Sequence, residues 1–294
     1  MLTLQAPSIG AEPRIDCWEK GSSEYPIELL DLTDPPASLY AIGRISALIK
    51  PRVAIVGTRN STGYGERTAR SLTRTLVRAG VSVISGMARG IDAAAHRTAI
   101  EEGGSTVAVL GTGIDVPYPL GHRQLHRSIG EHGLVLSENP RGATAHKGAF
   151  PKRNRIIAAL APVTIVVEAG FKSGALNTAA QALELGRVVA AVPGPIDSAQ
   201  SQGSNQLLRD GAVMIASVED ALALLGVSAP KDRVVPSLPE NERLVWDALD
   251  GGCLEVDALA TRAGLGTPQC LAAITSLEIM RLVECTRGGE IRRR

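Results

Sequence analysis

The feature that most constrains the fold is a repeated alternation of short apolar runs with longer segments of helical pattern, between Val53 and about Leu225. The runs are nearly continuous in Val, Ile, Ala and Leu, which is typical of strands buried on both faces of a parallel sheet. They are Val53–Gly57, Val81–Ser85, Thr106–Leu110, Leu134–Ser137, Val163–Glu168 and Val188–Val192. The segments between them are long enough for right-handed crossover helices. These are Gly65–Ala79, Ile91–Glu102, Arg155–Ala161 and Ala175–Leu185. The pattern predicts a doubly wound, mainly parallel α/β domain.

The rest of the chain divides around this core, which is predicted to span residues 51–226. Residues 1–50 show little periodicity and form an N-terminal extension leading into the core. Residues 227–238 are rich in proline and predict a linker. Residues 239–294 contain three helical patterns and a hairpin signal at Gly288-Gly289, which together predict a winged-helix domain. The helices are predicted at Glu240–Leu249, Val256–Ala263 and Pro268–Leu277.

The composition excludes several classes of protein. Apolar residues make up 44% and charged residues 21%, as in an ordinary globular protein, and the formal net charge is only +1. Any affinity for nucleic acid must therefore come from a local patch. No signal peptide opens the chain, and no stretch approaches about 18 uninterrupted apolar residues, so no membrane association is expected. The four cysteines form no CxxC pair, which favours free thiols in a reducing cytoplasm.

Parallel α/β sheets bind ligands at the carboxyl ends of their strands, so the loops that follow the strands are candidate sites. The loop after the first strand, Gly57–Gly65, is rich in small residues that let a backbone approach a phosphate. It lacks the GxGxxG pattern, and no acidic residue ends the second strand, so no dinucleotide is expected. We predict a phosphate cradle with Arg59 as its cation. A tight turn that merely requires glycine is the alternative.

Histidines and an aspartate form two spacings that could carry chemistry. Asp92 and His96 follow the Gly86 loop and share one face of the next predicted helix, which allows an acid–base pair. The favoured alternative is that Asp92 supports the helix start and His96 forms a local hydrogen bond. His122 and His126 are also four residues apart, but the glutamate of HExxH and a third ligand are missing. Neither a metal nor a cofactor is therefore expected.

The stretch 147–155 is the most informative part of the sequence. It contains four cations, one amide and no acid, namely Lys147, Lys152, Arg153, Asn154 and Arg155. Pro151 suits the first turn of a helix, where its missing N–H leaves nothing unpaired. Cations and open backbone donors at a helix start suit phosphates, and Phe150 offers a face to an unpaired base. A solvated charged turn is the alternative.

The loop after the fifth predicted strand, residues 168–174, repeats this arrangement with glycines, Phe171 and Lys172. Both phenylalanines of the chain, Phe150 and Phe171, are thus predicted in loops on the ligand edge, each near a lysine. Stacking of a base on such a ring is worth about 1–3 kcal/mol. This pattern favours a strand held by its phosphates with bases on the two rings.

These blocks resemble those of the DprA/Smf family of DNA-processing proteins. The matching stretches follow one another in the same order from about residue 25 to 225. They are VAIVGTR (53–59), YGE (64–66), SGMARGID (85–92), VLGTGIDVPYP (109–119), SENPRG (137–142), FPKRNRIIAAL (150–160), VVEAGFKSGALNTA (166–179) and VPGPIDSAQSQGSNQLLRDGA (192–212). The final residues are similar to the winged-helix domain at the end of many members. The resemblance implies a Rossmann-like fold for the core.

The resemblance also implies a homodimeric protein that binds single-stranded DNA. It implies protection of incoming strands in natural transformation, help in loading the RecA recombinase, and no known enzymatic reaction. The family's DNA-binding arginine falls on Arg59, the lysine before its FP motif on Lys147, and its FPxRNR block on residues 150–155. The DNA-binding residues predicted in this way are Gly57, Arg59, Gly86, Lys147, Phe150, Lys152, Arg153, Asn154, Arg155 and Lys172.

Two features depart from the family pattern. Many members begin with a helical domain resembling a sterile-alpha or helix-hairpin-helix module, which residues 1–45 are too short to contain. The role of that domain, for instance in recruiting regulators, is therefore left open for this chain. In the block SGALNTA, Asn177 stands where an apolar residue is commoner.

Two other functions stay open from the sequence. Related Rossmann-like proteins include nucleotide phosphoribohydrolases, and Asp92, His96 and Glu168 offer acid–base groups, although the PGGxGTxxE signature is absent. A winged helix also occurs in transcriptional regulators, but the recognition-helix candidate Pro268–Leu277 has no Arg or Lys. The basic residues fall in the wing, at Arg287 and 292–294, which favours a partner-binding or accessory DNA role.

Overall fold

A computed structural model describes residues 14–229, 238–249, 254–280, 282–286 and 289–293. The chain forms two compact units, which divide after residue 230. Among the described residues, the first unit contains a nine-stranded sheet and the second a three-stranded sheet.

The sheet of the first unit is mainly parallel. Its strands are β1 (Asp16–Glu19), β2 (Ser38–Gly43), β3 (Arg52–Val56), β4 (Ser82–Ser85), β5 (Thr106–Leu110), β6 (Leu134–Ser137), β7 (Val163–Val166), β8 (Val188–Ala191) and β9 (Val213–Met214). They lie in the order β1-β2-β6-β5-β4-β3-β7-β8-β9, and only the pairings of β1 with β2 and of β2 with β6 are antiparallel. The six strands predicted from apolar runs are all present within two residues of their predicted ends. The predicted Rossmann-like, mainly parallel sheet is confirmed.

Helices cover both faces of this sheet. They are α1 (Gly63–Arg78), α2 (Ile91–Glu101), α3 (Arg123–His132), α4 (Ala149–Leu160), α5 (Gly174–Glu184), α6 (Gln202–Arg209) and α7 (Val218–Leu224). Along β3, Val53 and Ile55 pack with the buried residues of α1 and α2, whereas Ala54 and Val56 pack with those of α4 and α5. The chain therefore changes face between β3 and β7, and α1 and α5 leave neighbouring strands on opposite sides. Such a switch point opens a crevice at the carboxyl ends of the two strands.

Residues 14–50 are part of the sheet unit. No strand is predicted in this region, but β1 and β2 form an antiparallel hairpin that continues the sheet beyond β6. Trp18, Leu29 and Leu39 are buried in the core on the α4 and α5 side. The apolar spacing in this region is irregular because short 3-10 turns alternate with strands, so no period is visible in the sequence.

Helix α4 begins earlier than predicted. The helix predicted at Arg155–Ala161 starts at Ala149, and the prediction that Phe150 lies in a loop is wrong. Pro151 is compatible with this start because it occupies the first turn, where backbone N–H groups need no helical partner. The polar run that follows Pro151 hid the helical period.

The second unit is built from α8 (Glu240–Ala248), β10 (Leu254–Glu255), α9 (Val256–Ala263), α10 (Thr267–Ile279), β11 (Val283–Cys285) and β12 (Glu290–Arg293). Its strands pair in the order β10-β12-β11, and its helices enclose a separate apolar core. The predicted winged helix is confirmed.

Most of the predicted linker 227–238 lies outside the described residues. No helix in the described part of the chain is long and apolar enough to cross a membrane. Of the four cysteines, Cys17, Cys270 and Cys285 are free, and Cys253 is not described.

Candidate nucleic-acid interface

A cleft of about 880 Å³ opens at the carboxyl ends of the strands of the first unit. The loops after β3 and β7 and the first turns of α4 and α5 contribute its walls. Of the ten predicted DNA-binding residues, seven line this cleft: Gly57, Arg59, Lys147, Phe150, Arg153, Asn154 and Lys172. The remaining three, Gly86, Lys152 and Arg155, lie outside its lining.

An arginine and two aromatic rings form the polar–aromatic centre of the cleft. The guanidinium carbon of Arg59 lies 5.1 Å from the ring centroid of Phe150, a cation–π distance. The ring of Tyr118 lies 5.1 Å from Phe150 with a tilt of 38°. Tyr118 is not among the predicted DNA-binding residues, although it belongs to the block VLGTGIDVPYP. Arg59 is exposed and forms no ion pair with a described residue, so its charge is available to a ligand.

Two lysines and the second phenylalanine stand at the rim. Lys147 and Lys172 line the cleft and are exposed, and neither pairs with an acid among the described residues. The side chain of Phe171 is 70% exposed, which is unusual for a large apolar ring. Lys152 is exposed as well, but its Nζ lies 3.4 Å from a carboxylate oxygen of Glu138.

Arg153 is turned into the protein beneath the cleft. It is buried, and its Nη1 donates to the carbonyl of Gly86 at 2.8 Å and to the carbonyl of Val109. Burial lowers the pKa of Arg153 to about 10, so the guanidinium stays charged at neutral pH. A Cβ on Gly86 would lie 2.6 Å from a guanidinium nitrogen of Arg153, which explains the glycine at that position. Arg153 therefore joins the ends of β4 and β5.

Asp92 and His96 also form contacts in the interior of the protein. The Asp92 carboxylate accepts from the N–H of Gly86 at 3.1 Å and of Ala88 at 3.4 Å. Burial raises the pKa of Asp92, and the charge of Arg153 acts against that rise. Nδ1 of His96 lies 2.7 Å from the Thr106 hydroxyl, and burial lowers the pKa of His96 to about 3. These contacts agree with the interpretation in which both residues support the local structure.

The amide and the last arginine of the FPKRNR block connect neighbouring elements. Nδ2 of Asn154 donates to the carbonyl of Gly174 and to Oδ1 of Asn177, each at 3.2 Å. Asn177, the residue that departs from the family pattern, thus links α5 to α4 through Asn154. Arg155 is buried and pairs with Glu138 in the loop after β6. Both contacts hold the loops around the first turn of α4.

Glu168 has a structural position that the sequence did not reveal. Its two carboxylate oxygens accept from the N–H and the hydroxyl of Thr62, at 2.9 and 2.7 Å, and its carbonyl accepts from the N–H of Thr58 at 2.6 Å. A Cβ on Gly65 would collide with the same carboxylate. Glu168, which ends the strand run of β7, therefore anchors both ends of the loop that carries Arg59.

Each histidine of the pair considered for a metal site has a ring nitrogen within hydrogen-bond distance of a backbone carbonyl. Nδ1 of His122 lies 3.0 Å from the carbonyl of Met87, and Nε2 of His126 lies 2.9 Å from that of Ile114. The described residues contain no group of three or more His, Cys, Asp or Glu side chains that could hold a metal ion.

The described arginines in the wing of the second unit form contacts within that unit. Arg292 pairs with Glu284 on the neighbouring strand. Arg293 lies over the Trp246 ring, with 4.3 Å between its guanidinium carbon and the ring centroid. Arg287 and Arg294 lie outside the described residues. Helix α10 exposes Leu271 and Ile279 on a surface without Lys or Arg.

Comparison with known proteins identifies the family to which this architecture belongs. The model of the family described as DNA recombination-mediator protein A matches residues 16–226. The chain belongs to this family. A second family model, the DprA winged helix domain, matches residues 229–289, which agrees with the fold of the second unit.

Relatives within the DprA/Smf family match most of the chain. A protein named putative DNA processing protein DprA from Mycobacterium tuberculosis is 43% identical over 263 residues, covering 86% of this chain and 68% of the relative. Protein Smf of Escherichia coli is 37% identical over 287 residues, covering 93% and 76%. The family resemblance inferred from the sequence is thereby confirmed.

Two solved family members share the fold of the core. DprA from Streptococcus pneumoniae superposes with a TM-score of 0.69 at 40% identity, covering 71% of this chain and 74% of that structure. DprA from Helicobacter pylori, whose single-stranded DNA binding mode was studied by structure, gives 0.66 at 31% identity, covering 72% and 95%.

Proposed function

We propose that the cleft of the first unit binds single-stranded DNA and that this binding underlies the role of the chain in recombination. The observation that carries the proposal is the placement of the Arg59 guanidinium over the Phe150 ring at the centre of the cleft. A phosphate needs a cation and an unpaired base needs an aromatic ring, and the cleft brings the two within 5.1 Å of each other. The Helicobacter pylori relative, described as a single-stranded DNA binder, supports the same ligand.

The predicted residues take two kinds of role in this proposal. Arg59, Lys147 and Lys172 contact phosphates because they are exposed cations on the cleft walls, and Phe150 and Phe171 stack on bases. The other residues shape the cleft and hold its loops in place, and they are not the main contacts of the DNA strand. They are Gly57, Gly86, Lys152, Arg153, Asn154 and Arg155.

The test is fluorescence-anisotropy binding of a labelled poly-dT strand of about 35 nucleotides, which exceeds the roughly 4–16 nucleotides that a single-strand site covers. We expect preference for this strand over the matching duplex, and its loss in Arg59→Ala/Lys147→Ala. Arg44→Ala/Lys50→Ala is the matched control, since it removes two exposed cations at the amino edge of the sheet. Equal losses in both double variants would contradict the cleft as the site.

The chain is proposed to act without a catalytic step of its own. The carboxylate of Glu168 is engaged by Thr62, and His96 is buried and engaged by Thr106, so neither is poised to transfer a proton to a ligand in the cleft. Incubation with AMP checks the competing phosphoribohydrolase function. Release of adenine and ribose 5-phosphate by the wild type that is abolished in Glu168→Ala would overturn the non-catalytic proposal.

We propose a cellular context for this binding. The chain loads RecA onto the bound strand, protects incoming DNA and acts in the cytoplasm. The family description as a recombination mediator supports this context. The test measures RecA filament growth on a strand already coated by a single-strand-binding protein, with and without this chain. Acceleration that disappears in Arg59→Ala/Lys147→Ala is the expected result, and filament growth that ignores the chain would contradict the loading role.

A homodimer is proposed as the working form. Strand β9 ends the sheet with Val213 and Met214 exposed by 40% and 54%, and an apolar strand edge of this kind favours pairing with another chain. Sedimentation velocity of the wild type and of Met214→Glu checks the proposal. We expect a dimer that the charged residue weakens, whereas a monomeric wild type at micromolar concentration would contradict it.

A further inference from the structure

The outer surface formed by α1 and α2 carries a stripe of arginines that the cleft does not use. On α1, arginines recur at positions 67, 70, 74 and 78, a spacing that places them along one face of a helix. Arg74 and Arg78 both donate to the carboxylate of Glu102, each at 2.8 Å, and Glu102 directly follows α2. This shared acid shows that the arginine face of α1 borders α2.

The charge along this surface is uneven. The two arginines far from the cleft share the single carboxylate of Glu102. Arg67 and Arg70, nearer to the cleft, are exposed and form no ion pair with any described residue. On the α2 side, Arg89 and Arg97 are exposed and likewise pair with no acid in the described part of the chain. We define the α1/α2 arginine stripe as Arg67, Arg70, Arg89 and Arg97.

None of the described acids near the stripe forms an ion pair with it. The Glu66 carboxylate accepts from the Ser61 hydroxyl at 2.9 Å, and Asp92 is buried among backbone N–H groups. Glu101 is exposed and lies in the last turn of α2, four residues after Arg97, but the two form no ion pair. The stripe is therefore a local group of exposed cations without ion-pair partners among the described residues, on a protein whose net charge is only +1.

The stripe is continuous with the cleft through its first arginine. The turn that carries Arg89 packs directly on the loop that carries Arg59, because a Cβ on Gly90 would meet the backbone of Thr58 and Arg59. The N–H of Ile91 also donates to the carbonyl of Thr58 at 3.3 Å. From this junction, α1 and α2 both run away from the cleft, and Arg70 lies about 10 Å along α1 from its first residue.

We propose that the α1/α2 arginine stripe holds the phosphates of the DNA strand that flanks the segment bound in the cleft. The inference rests on the proposed function and extends it, since it names a second contact region for the same single strand. A strand that fills only the cleft does not reach the stripe, whereas a longer strand contacts both. Affinity and its salt dependence should therefore rise with strand length.

The test compares labelled poly-dT strands of about 6 and about 35 nucleotides, one near the lower end of single-strand site sizes and one well beyond them. The variant is Arg70→Ala/Arg97→Ala, which removes one cation from each helix at a distance from the cleft. Its matched control is Arg44→Ala/Lys50→Ala, and Arg70→Lys/Arg97→Lys retains the charges. Thermal unfolding of every variant checks that the fold is intact.

We expect the alanine variant to bind the long strand roughly tenfold more weakly at low salt and the short strand within about twofold of the wild type. The slope of log affinity against log salt should become shallower by about 0.7 for each lost contact with the long strand. The lysine variant and the matched control should behave like the wild type.

Unchanged affinity for the long strand would overturn the proposed role of the stripe. An equal loss of affinity for the short strand, or a loss of affinity confined to duplex DNA, would also overturn it. These outcomes leave the cleft proposal standing if Arg59→Ala/Lys147→Ala still abolishes binding of both strands. Failure of the wild type to bind either strand would contradict the proposed function and, with it, the stripe.

Discussion

The Arg59 guanidinium lies over the Phe150 ring, 5.1 Å from its centroid, although the two residues belong to different elements. Arg59 comes from the loop after β3, and Phe150 from the first turn of α4. Glu168 secures the first partner by binding Thr58 and Thr62, and Arg153 secures the second by anchoring α4 to the ends of β4 and β5. The pair is thus held from two directions before any ligand arrives.

Replacement of Phe171 is expected to separate the contribution of base stacking to binding from any effect on the stability of the fold. Phe171→Ala should weaken binding of a single strand by about 1–3 kcal/mol, because one base loses its stacking partner. Its free energy of unfolding should change by less than about 0.5 kcal/mol, because the ring is 70% exposed. Anisotropy titration and urea unfolding measure the two quantities. Leu183→Ala is the control, since it removes an exposed apolar side chain that does not line the cleft. Equal binding by Phe171→Ala and Leu183→Ala would exclude stacking on Phe171.

Alanine in place of Gly90 is expected to disturb the loop that carries Arg59. Gly90 has a φ of +74°, and a Cβ there would press on the carbonyl of Thr58. Gly80→Ala is a suitable control, because Gly80 has a similar φ of +84° but open space around the position of its Cβ. Both variants should lose stability through backbone strain, and only Gly90→Ala should also lose affinity for the strand. Similar affinities in anisotropy titrations would show that the loop position does not matter.

Removal of the buried guanidinium is expected to be costly. Arg153→Met should lower the free energy of unfolding by about 3–5 kcal/mol, because the Asp92 carboxylate loses its opposing charge and two carbonyls lose their donor. Lys152→Met, at the adjacent but exposed position, should cost less than about 1 kcal/mol. Urea unfolding compares the two. A loss in Arg153→Met as small as that in Lys152→Met would refute the role assigned to Arg153.

His96 is expected to make the fold sensitive to acid. Burial lowers its pKa from 6.5 to about 3, so between these values the unfolded chain binds a proton that the folded chain does not. The free energy of unfolding should therefore fall as the pH drops below 6.5, by at most about 1.4 kcal/mol per pH unit from this group. The raised pKa of Asp92 acts in the opposite direction, because the folded chain takes up that proton first.

The contribution of His96 is isolated by comparing wild type and His96→Asn in urea unfolding at several pH values. The variant should lose less stability than the wild type between pH 6.5 and pH 4, because the titrating group is gone and the contribution of Asp92 is common to both. Parallel curves would show that His96 is protonated as readily in the folded chain as in the unfolded one.

Much of the core could be predicted from the sequence because its signals are local. In a run such as Thr106–Leu110, every residue after the threonine is apolar, since helices cover both faces of the strand, and its ends are marked by polar or small residues. Residues 14–50 gave no such signal, because β2 pairs with β6 far along the chain and its burial alternates irregularly. The start of α4 was obscured for a similar reason: residues 153–155 are polar in sequence yet buried in the fold.

The sequence by itself determined the parallel α/β core, the winged helix, the family and the edge of the sheet at which a ligand is proposed to bind. Only the tertiary structure decided which cations face that edge. Arg59 and Arg153 both belong to blocks shared with the family, but Arg59 is exposed over an aromatic ring and Arg153 is buried against backbone carbonyls. The physical reason is that residue type and spacing report the local chain, whereas the burial of a charge depends on the carbonyls, carboxylates and rings that distant segments bring to it.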